Sequence, residues 1–408
     1  MKFNKYFMLG LAGLAFAACS NDEDITNGNE DGRVRVTLSL GGTEATRSLG
    51  ASAAGLYNKV TDVKIVFYNG AGAYVAFPSQ GTIGGVAYDN EAAINDAVKK
   101  GLNETTDHKV TVELKEVPSS ASQIYIVANS EGKTNQIGTT SLNEARKTQI
   151  HLKNQIKNDF EVFSGEESRL TGLAAIASDG SAEVQLRPAP SRIEMAKVTA
   201  VPVPSGETWG GAAIKSFEVA GFYINKFRIS GYLDGKALGL AEITDGAQDY
   251  GDKKAEYTKA KYTEKTWGMM CDEPVAADYS YANGDGTNTV YTATPAVATN
   301  WYGYMLLQGT PCHVVVKLNV TYSDDTVAEK FLTITNYKYG TTWEDFWGET
   351  HQAGSDVAEF LRGHVYKLTD ITFDVTDLTD VPYETTKTVT AVVEVLRWVG
   401  VDVTPGFN

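Results

Sequence analysis

Residues 33–40 read RVRVTLSL, and this stretch indicates what kind of fold the chain adopts. Apolar and polar residues alternate along it, which is the period of a β-strand with one buried face. The apolar positions, which share that face, are Val34, Val36, Leu38 and Leu40. We therefore predict an amphipathic strand that packs these side chains into a core.

A second long strand is predicted at the other end of the chain, where residues 388–408 read TVTAVVEVLRWVGVDVTPGFN. Every second residue from Val389 is apolar except Arg397. The apolar positions are Val389, Ala391, Val393, Val395, Val399, Val401 and Val403. A polar linker, residues 374–387, precedes this strand, and chain ends are usually poorly ordered. If the terminal strand is ordered, some other surface must cover its apolar face.

The composition of the whole chain favours an all-β protein of two domains. Hydrophobic residues make up 42% of the 408 residues and charged residues 21%, so a disordered chain is not expected. The 39 glycines and the many strand-like segments indicate frequent turns. The net charge of −15, with no basic stripe, argues against nucleic acid as a partner.

The central part of the chain contains one predicted helix and one predicted domain boundary. EAAINDAVKKGL, residues 91–102, has the character of a short helix among strand-like segments. Pro188 and Pro190 interrupt a strand-rich stretch, and proline cannot continue a central ladder. We therefore place the boundary near residue 190.

The first residues, MKFNKYFMLGLAGLAFAACSNDED, have the features of a lipoprotein signal. Lys2 and Lys5 precede an apolar segment, residues 7–18, that is too short to span a bilayer. Cys19 follows two small residues, so its thiol is the predicted lipidation position. The alternative is an ordinary secreted protein whose signal happens to end in Cys.

A loop with a single arginine follows the first strand. GGTEATRSLGAS, residues 41–52, is rich in small residues, and such loops are preferred sites of proteolysis. Cleavage between Arg47 and Ser48 would release the first strand and leave a groove with unpaired backbone groups. The terminal strand of another copy could fill that groove and build a filament. The alternative is that the first strand stays and Arg47 is an ordinary loop residue.

No catalytic or metal-binding motif stands out, so we predict neither an enzyme nor a cofactor or metal site. The histidines are scattered at His108, His151, His313, His351 and His364. None stands in HExxH, and the chain has no GxSxG elbow and no P-loop. Cys271 and Cys312 are predicted to be separate buried thiols, although a disulfide between them is the alternative.

Tryptophans leave open a different class of function, carbohydrate binding. Exposed aromatic rings stack on sugars, so the chain could be a surface glycan-binding lipoprotein. Trp343 and Trp347 are four residues apart, which in a helical turn would place them on one face. We expect such a turn to be pinned against the sheet and to have a structural role.

The order of these segments resembles that of the Bacteroidales fimbrilins, the structural subunits of type V pili. The stretches that carry the resemblance are the leader ending at Cys19, RVRVTLSL followed by Arg47, SRIEMAKVTAV at residues 191–201, LRGHVYKLTDITFDV at residues 361–375, and VVEVLRWVGVDV at residues 392–403 with its central Trp398. They extend over the whole chain.

The resemblance implies two transthyretin-like β-sandwich domains in tandem with an extended C-terminal donor strand. The implied divisions are a signal peptide (1–18), a lipidated tether and removable first strand (19–47), an N-terminal domain (48–190), a C-terminal domain (191–376), and a linker with the donor strand (377–408). It implies lipidation at Cys19, a scissile bond between Arg47 and Ser48, and a donor strand within 389–403.

The resemblance also implies a function and a location. The chain would be a fimbrial shaft subunit that supports adhesion and biofilm formation, with a pilus anchor or tip subunit as alternatives. Its partners would be copies of itself, other pilus subunits and an arginine-specific protease. It would be held in the outer membrane by lipid as a precursor and then displayed in the cell-surface fimbrium.

Overall fold

The computed structural model of the chain has a nearly all-β fold. It describes residues 32–40, 50–51, 60–78, 80–105, 108–130, 137, 140–152, 169–207, 209–234, 250–258, 269–282, 290–296, 300–383 and 389–397. The predictions on Cys19, Arg47, Ser48, Trp398, Val399, Val401 and Val403 lie outside these residues. The strands of the described residues are numbered along the chain.

The strands before residue 189 are β1 (Val34–Leu40), β2 (Gly50–Ala51), β3 (Val63–Tyr68), β4 (Tyr74–Val75), β5 (Gln80–Ile83), β6 (Val86–Tyr88), β7 (Lys109–Lys115), β8 (Gln123–Ala128), β9 (Gln149–His151), β10 (Leu170–Ala175) and β11 (Ser181–Pro188). The strands after residue 189 are β12 (Pro190–Ala200), β13 (Ile214–Asn225), β14 (Ser230–Tyr232), β15 (Met270–Asp272), β16 (Tyr279–Ala282), β17 (Tyr291–Pro295), β18 (Asn300–Leu307), β19 (His313–Tyr322), β20 (Val327–Tyr339), β21 (Trp343–Glu344), β22 (Thr350–His351), β23 (His364–Phe373) and β24 (Val389–Arg397). The α-helices of the described residues are α1 (Glu91–Glu104) and α2 (Leu142–Arg146), and short 3-10 helices lie at Lys254–Glu256 and Ala276–Asp278.

The predicted helix is confirmed as α1. The Asn90 side chain caps its first turn by accepting a hydrogen bond from the backbone N–H of Ala93 at 2.8 Å. Ile94, Val98 and Leu102, spaced four residues apart, are fully buried. The helix therefore packs one face against the core of the first sheet.

The first sheet has nine strands in the order β4-β3-β8-β10-β11-β1-β7-β5-β6. β10 and β11 pair only through Leu170 with Pro188 and Thr171 with Arg187. The sheet turns at this short pairing, so that it forms two layers of a sandwich. Side chains of both layers share one buried cluster, which includes Val36, Leu38, Ile65, Phe67, Val112, Ile124, Ile126 and Val184.

The second sheet has eleven strands and is also curled into two layers. One layer runs β15-β13-β19-β20 and the other β23-β12-β17-β16, with β24 between β20 and β23. β18 pairs with β12 and, at its start, with β2. Buried residues of both layers form the main core, among them Ile193, Met195, Phe222, Val316, Leu332 and Tyr366. The sandwich class of the fold prediction is thereby confirmed.

Strands on either side of Ala189 belong to different sheets, because β11 lies in the first sheet and β12 in the second. The cores of the two sheets nevertheless touch. Val66, Tyr68 and Tyr125, on the outer face of β3 and β8, belong to the same buried cluster as the core of the second sheet. The division of the chain into two domains stays a prediction.

A buried ion-pair network joins the two sheets. The carboxylate of Asp234, which follows β14, accepts hydrogen bonds from Nε of Arg146 at 2.5 Å, from Nη1 of Arg362 at 2.5 Å and from Oγ1 of Thr171 at 3.0 Å. Arg362 also donates to the backbone carbonyls of Arg187 and Pro188 at the end of the first sheet. Burial by itself would raise the pKa of Asp234, but the two arginines outweigh burial and hold its pKa below the usual value.

We expect Asp234→Asn to lower the free energy of unfolding by about 2–3 kcal/mol at pH 7, because Arg362 then loses its charged partner. A depressed carboxyl pKa contributes stability above the unfolded-state pKa, and this contribution is lost as the pH falls through the folded-state pKa. The gap between the wild type and the variant should therefore narrow below about pH 4. Urea unfolding at pH 7 and pH 3 measures it, and a gap independent of pH would contradict the assignment.

Two sequence predictions on side chains have different outcomes. Trp343 and Trp347 do not share a helical turn, because β21 and β22 form a hairpin and Trp347 lies in its loop. Trp343 pairs with His351 and Glu344 pairs with Thr350 instead. Cys271 and Cys312 are buried and form no disulfide with each other, as predicted. Burial raises the pKa of the Cys312 thiol to about 12.

Helices in the described part of the chain are all too short or too polar to cross a bilayer.

Candidate functional site

The first predicted strand, β1, lies in the interior of the first sheet. It pairs in parallel with β11, from Arg35 with Ser181 to Leu40 with Leu186. Its other edge pairs antiparallel with β7, from Val34 with Leu114 to Ser39 with Lys109. Residues 35–39 therefore have ladder partners on both sides, although this strand is the one that is predicted to be removed.

The inward face of β1 is the one that the alternation predicts. Val34, Val36, Leu38 and Leu40 are between 0% and 6% exposed. Their side chains contribute to the core between the two layers of the first sandwich. The removal of β1 would bare this core and leave the facing edges of β7 and β11 without partners.

Hydrogen bonds at both ends fix the position of β1. The backbone N–H of Val117 donates to the carbonyl of Gly32 at 2.8 Å, and the N–H of Arg35 donates to Gly180 at 2.8 Å. At the far end, the N–H of Leu40 donates to the carbonyl of His108 at 3.0 Å. On the outer face, the hydroxyls of Thr37 and Thr111 lie 3.1 Å apart.

The chain passes from the first sheet to the second across the predicted cleavage loop. β1 ends at Leu40 in the first sheet, and Gly50–Ala51 next pairs with Asn300–Trp301 of β18 in the second. Arg47 and Ser48 fall between these two attached segments, outside the described residues. A cut there would separate β1 from the remainder of the chain without cutting a described strand.

The C-terminal strand, β24, closes the seam of the second sandwich. Residues 389–393 pair in parallel with β20, and residues 394–397 pair antiparallel with β23. The strand thus passes from one layer to the other and has one ladder partner at a time. In this structure, β24 is paired within its own chain and does not extend away from it.

The apolar face predicted for the terminal strand is present in β24 where its side chains are described. Ala391, Val393 and Val395 are between 0% and 8% exposed and belong to the main core. Val392 is 56% exposed. β24 therefore buries alternate side chains, as β1 does.

The linker before β24 is attached to the edge of β20 that faces away from β19. The backbone of Thr379 exchanges hydrogen bonds with Phe331 at 3.0 and 3.1 Å. The N–H of Tyr383 donates to Oγ1 of Thr333 at 2.9 Å, and the Tyr383 hydroxyl lies 3.1 Å from Nε2 of His313. These contacts hold the linker until residue 383, so a release of β24 alone would pivot near that residue.

A cluster of side chains that could together ligate a metal ion was not predicted from the sequence. Asp345, Glu349 and His351 each place a possible ligand atom within 4.8 Å of the others. Oδ1 of Asp345 accepts the backbone N–H groups of Trp347 and Glu349, and Oδ2 lies 3.1 Å from Nε2 of His351. The carboxylate therefore already stabilises the hairpin loop between β21 and β22. Only the pairing of that hairpin brings His351 to Asp345, so no spacing motif signals it.

No family model matches the chain. No curated protein matches it either. Its fold is similar to that of a "putative cell adhesion protein" from Parabacteroides distasonis, with 12% identity, a TM-score of 0.50, and coverage of 90% of this chain and 100% of that chain.

Two further solved structures are similar over most of their length. A "putative cell adhesion protein" from Bacteroides eggerthii is 13% identical, with a TM-score of 0.48 and coverage of 90% of this chain and 97% of that chain. A fimbrilin from Porphyromonas gingivalis is 12% identical, with a TM-score of 0.45 and coverage of 91% and 99%. The structural neighbours of this chain are thus fimbrial and cell adhesion proteins of Bacteroidales, and the chain shares the fold of the Parabacteroides distasonis protein.

Proposed function

We propose that the chain is a structural pilin, a shaft subunit of a cell-surface fimbrium, and that it does no chemistry of its own. It is exported as a lipoprotein through Cys19, cleaved between Arg47 and Ser48, and polymerised head to tail by strand exchange, in support of adhesion and biofilm formation. The observation that carries the proposal is the position of β1 between β7 and β11.

The first step is the departure of β1 after cleavage. While the chain is intact, β1 is held by two ladders and by the burial of its apolar face. Cleavage makes its loss irreversible, because the free peptide is diluted once it dissociates. The groove that remains is an apolar slot with hydrogen-bonding groups on both walls, which is a strong acceptor for an extended segment.

The second step is the insertion of β24 from another copy. Like β1, β24 buries alternate side chains and has one parallel and one antiparallel neighbour. It must first leave the seam of its own second sheet. The groove of a processed neighbour then supplies the cover that the apolar face of the terminal strand requires.

Backbone pairing gives this exchange a direction. In its own sheet each residue of β24 has a ladder partner on one side, whereas residues 35–39 of β1 have partners on both sides. A strand that moves into the groove therefore gains a second ladder, and each net hydrogen bond is worth about 0.5–1.5 kcal/mol. The buried valines contribute about 1–2 kcal/mol each in either location, so they change the balance less.

Arg47→Ala tests the cleavage step. We expect the variant to remain at precursor length and to form no filaments, because β1 stays in its groove. The measurement is the mature N-terminus, by mass spectrometry of material sheared from cells, together with electron microscopy of the cell surface. Wild-type protein should begin at Ser48.

Arg33→Ala is the matched control, because Arg33 is an exposed arginine beside β1 that contacts only Glu113 at 4.0 Å among the described ion pairs. It should be processed and assembled like the wild type. Normal filaments from Arg47→Ala, or a wild-type N-terminus at Cys19, would refute the proposed processing.

A further inference from the structure

We infer that a pocket between the two sheets binds a sugar residue that carries a single carboxylate. The pocket has a volume of about 430 Å³, within the range of about 300–1,000 Å³ that is usual for small-molecule sites. Residues of β10, of β11 and of the loop between β21 and β22 contribute to its lining. The residues that determine its chemistry are Arg146, Glu183, Gln185, Arg187, Asp234 and Trp347.

Charged side chains of both signs line the pocket. Arg146, Arg187 and Arg362 lie there together with Asp234 and Glu183. Arg187 donates to Oε1 of Gln185 at 3.2 Å. Because Arg362 donates to Asp234 and to backbone carbonyls, its role in the pocket wall is structural.

Arg146 is the group that can receive a carboxylate. Its Nε donates to Asp234 at 2.5 Å, which fixes the plane of the guanidinium. Among the residues that the structure describes, none accepts a hydrogen bond from its two terminal nitrogens, and its side chain is 18% exposed. A guanidinium fixed on one side offers the paired donors that match a carboxylate.

Trp347 supplies an aromatic side chain to the lining of the same pocket. Trp347 is 48% exposed, and its backbone N–H donates to buried Asp345 at 2.8 Å, which fixes the loop. Beneath it, the guanidinium of Arg187 lies 4.0 Å from the ring centre of Phe346. An indole in a fixed loop at the edge of a polar pocket is a suitable face for a pyranose ring.

The mixture of donors and acceptors favours a sugar over an acidic peptide. The carboxylate of Glu183, on the outer face of β11, can accept hydrogen bonds from hydroxyl groups. Oε1 of Gln185 on the same face accepts from Arg187 at 3.2 Å, and its amide NH2 group can donate to a hydroxyl oxygen. Glu183 would repel a second carboxylate, whereas an acidic peptide brings several. A sugar with one carboxylate can place that carboxylate on Arg146, its hydroxyl groups on Glu183 and its ring face on Trp347.

The test uses the full chain and calorimetric titration with methyl β-D-glucuronide, with methyl β-D-glucoside and a tetraglutamate peptide as comparisons. We expect the glucuronide to bind at least tenfold more tightly than either comparison. Trp347→Ala should weaken glucuronide binding at least tenfold. Arg146→Lys keeps the positive charge near Asp234 but removes the paired N–H donors of the guanidinium. This variant should reduce the preference for glucuronide over glucoside.

Trp209→Ala is the matched control, because Trp209 is also exposed, at 43%, but does not line the pocket. It should bind like the wild type. Equal affinity for glucuronide and glucoside, preference for the peptide, no binding of the glucuronide, or equal losses in the two tryptophan variants would overturn the inference. None of these results bears on strand exchange, which does not use the pocket.

Discussion

The oxidised double variant T37C/T111C is expected to be cleaved after Arg47 and yet to remain monomeric. Thr37 on β1 and Thr111 on β7 are directly opposite, and their hydroxyls lie 3.1 Å apart on the outer face of the sheet. The Cβ atoms of directly opposite residues in an antiparallel pair are about 4.5–5.5 Å apart, which is close to the spacing of about 3.5–4.5 Å in a disulfide. The cross-link would keep β1 in its groove after the loop is cut.

The expected magnitude is a complete loss of polymer, because the occupied groove has no free edge for another strand. Purified chain is oxidised, treated with an arginine-specific protease, and run on a gel without full denaturation, where strand-exchanged polymers give ladders. Reduction with dithiothreitol should restore the ladders from the same sample. The native Cys271 and Cys312 are buried, so they should not compete for the bond.

A control cross-link, T82C/A87C, joins β5 to β6 in the same sheet, and neither of these strands pairs with β1. It should leave ladder formation unchanged after cleavage. If the oxidised T37C/T111C protein polymerises as readily as this control, then β1 does not need to leave and the proposed groove has no role in assembly.

Val393→Asp is expected to reduce both the stability of the isolated chain and its assembly. Val393 is fully buried in the seam between the two layers of the second sandwich. A carboxyl group there loses its hydration without a partner, which we expect to lower the free energy of unfolding by at least about 4 kcal/mol. The same position would face the apolar groove of the next copy after exchange.

Val392→Asp separates these effects from a general effect of charge on the strand. Val392 is adjacent but 56% exposed, so its carboxylate remains in water. We expect a change of at most about 0.5 kcal/mol in unfolding free energy and normal ladders. Urea unfolding and the gel assay measure both properties, and similar behaviour of the two variants would contradict the inward assignment of Val393.

The pairing of β24 within its own sheet changes how a deletion of the strand should be understood. A chain shortened before Val389 would lose polymerisation, but it would also lose the seam between β20 and β23. The loss of assembly would then have two causes. Point variants and the cross-link are better tests. The cross-link leaves the second sandwich closed, and urea unfolding of the point variants measures the stability of the chain separately from its assembly.

The local pattern of residues was sufficient to define the strands and their faces. The alternation in residues 33–40 predicted β1 and its buried side chains, and the alternation from Val389 predicted the buried positions 391, 393 and 395 of β24. The segment 91–102 was predicted to be a short helix, and it lies in α1. Such features can be read from the sequence because the residues that share one face of a strand or helix recur at a fixed spacing along the chain.

Tertiary structure alone decided which strands lie side by side. β1 meets β7 and β11, and β24 meets β20 and β23, through pairings between distant parts of the chain that no local period specifies. The pocket with Arg146 and Trp347, and the contact of His351 with Asp345, arise in the same way. The physical reason is that backbone hydrogen bonding between strands is independent of side-chain identity, so the order of strands follows from how the whole core packs.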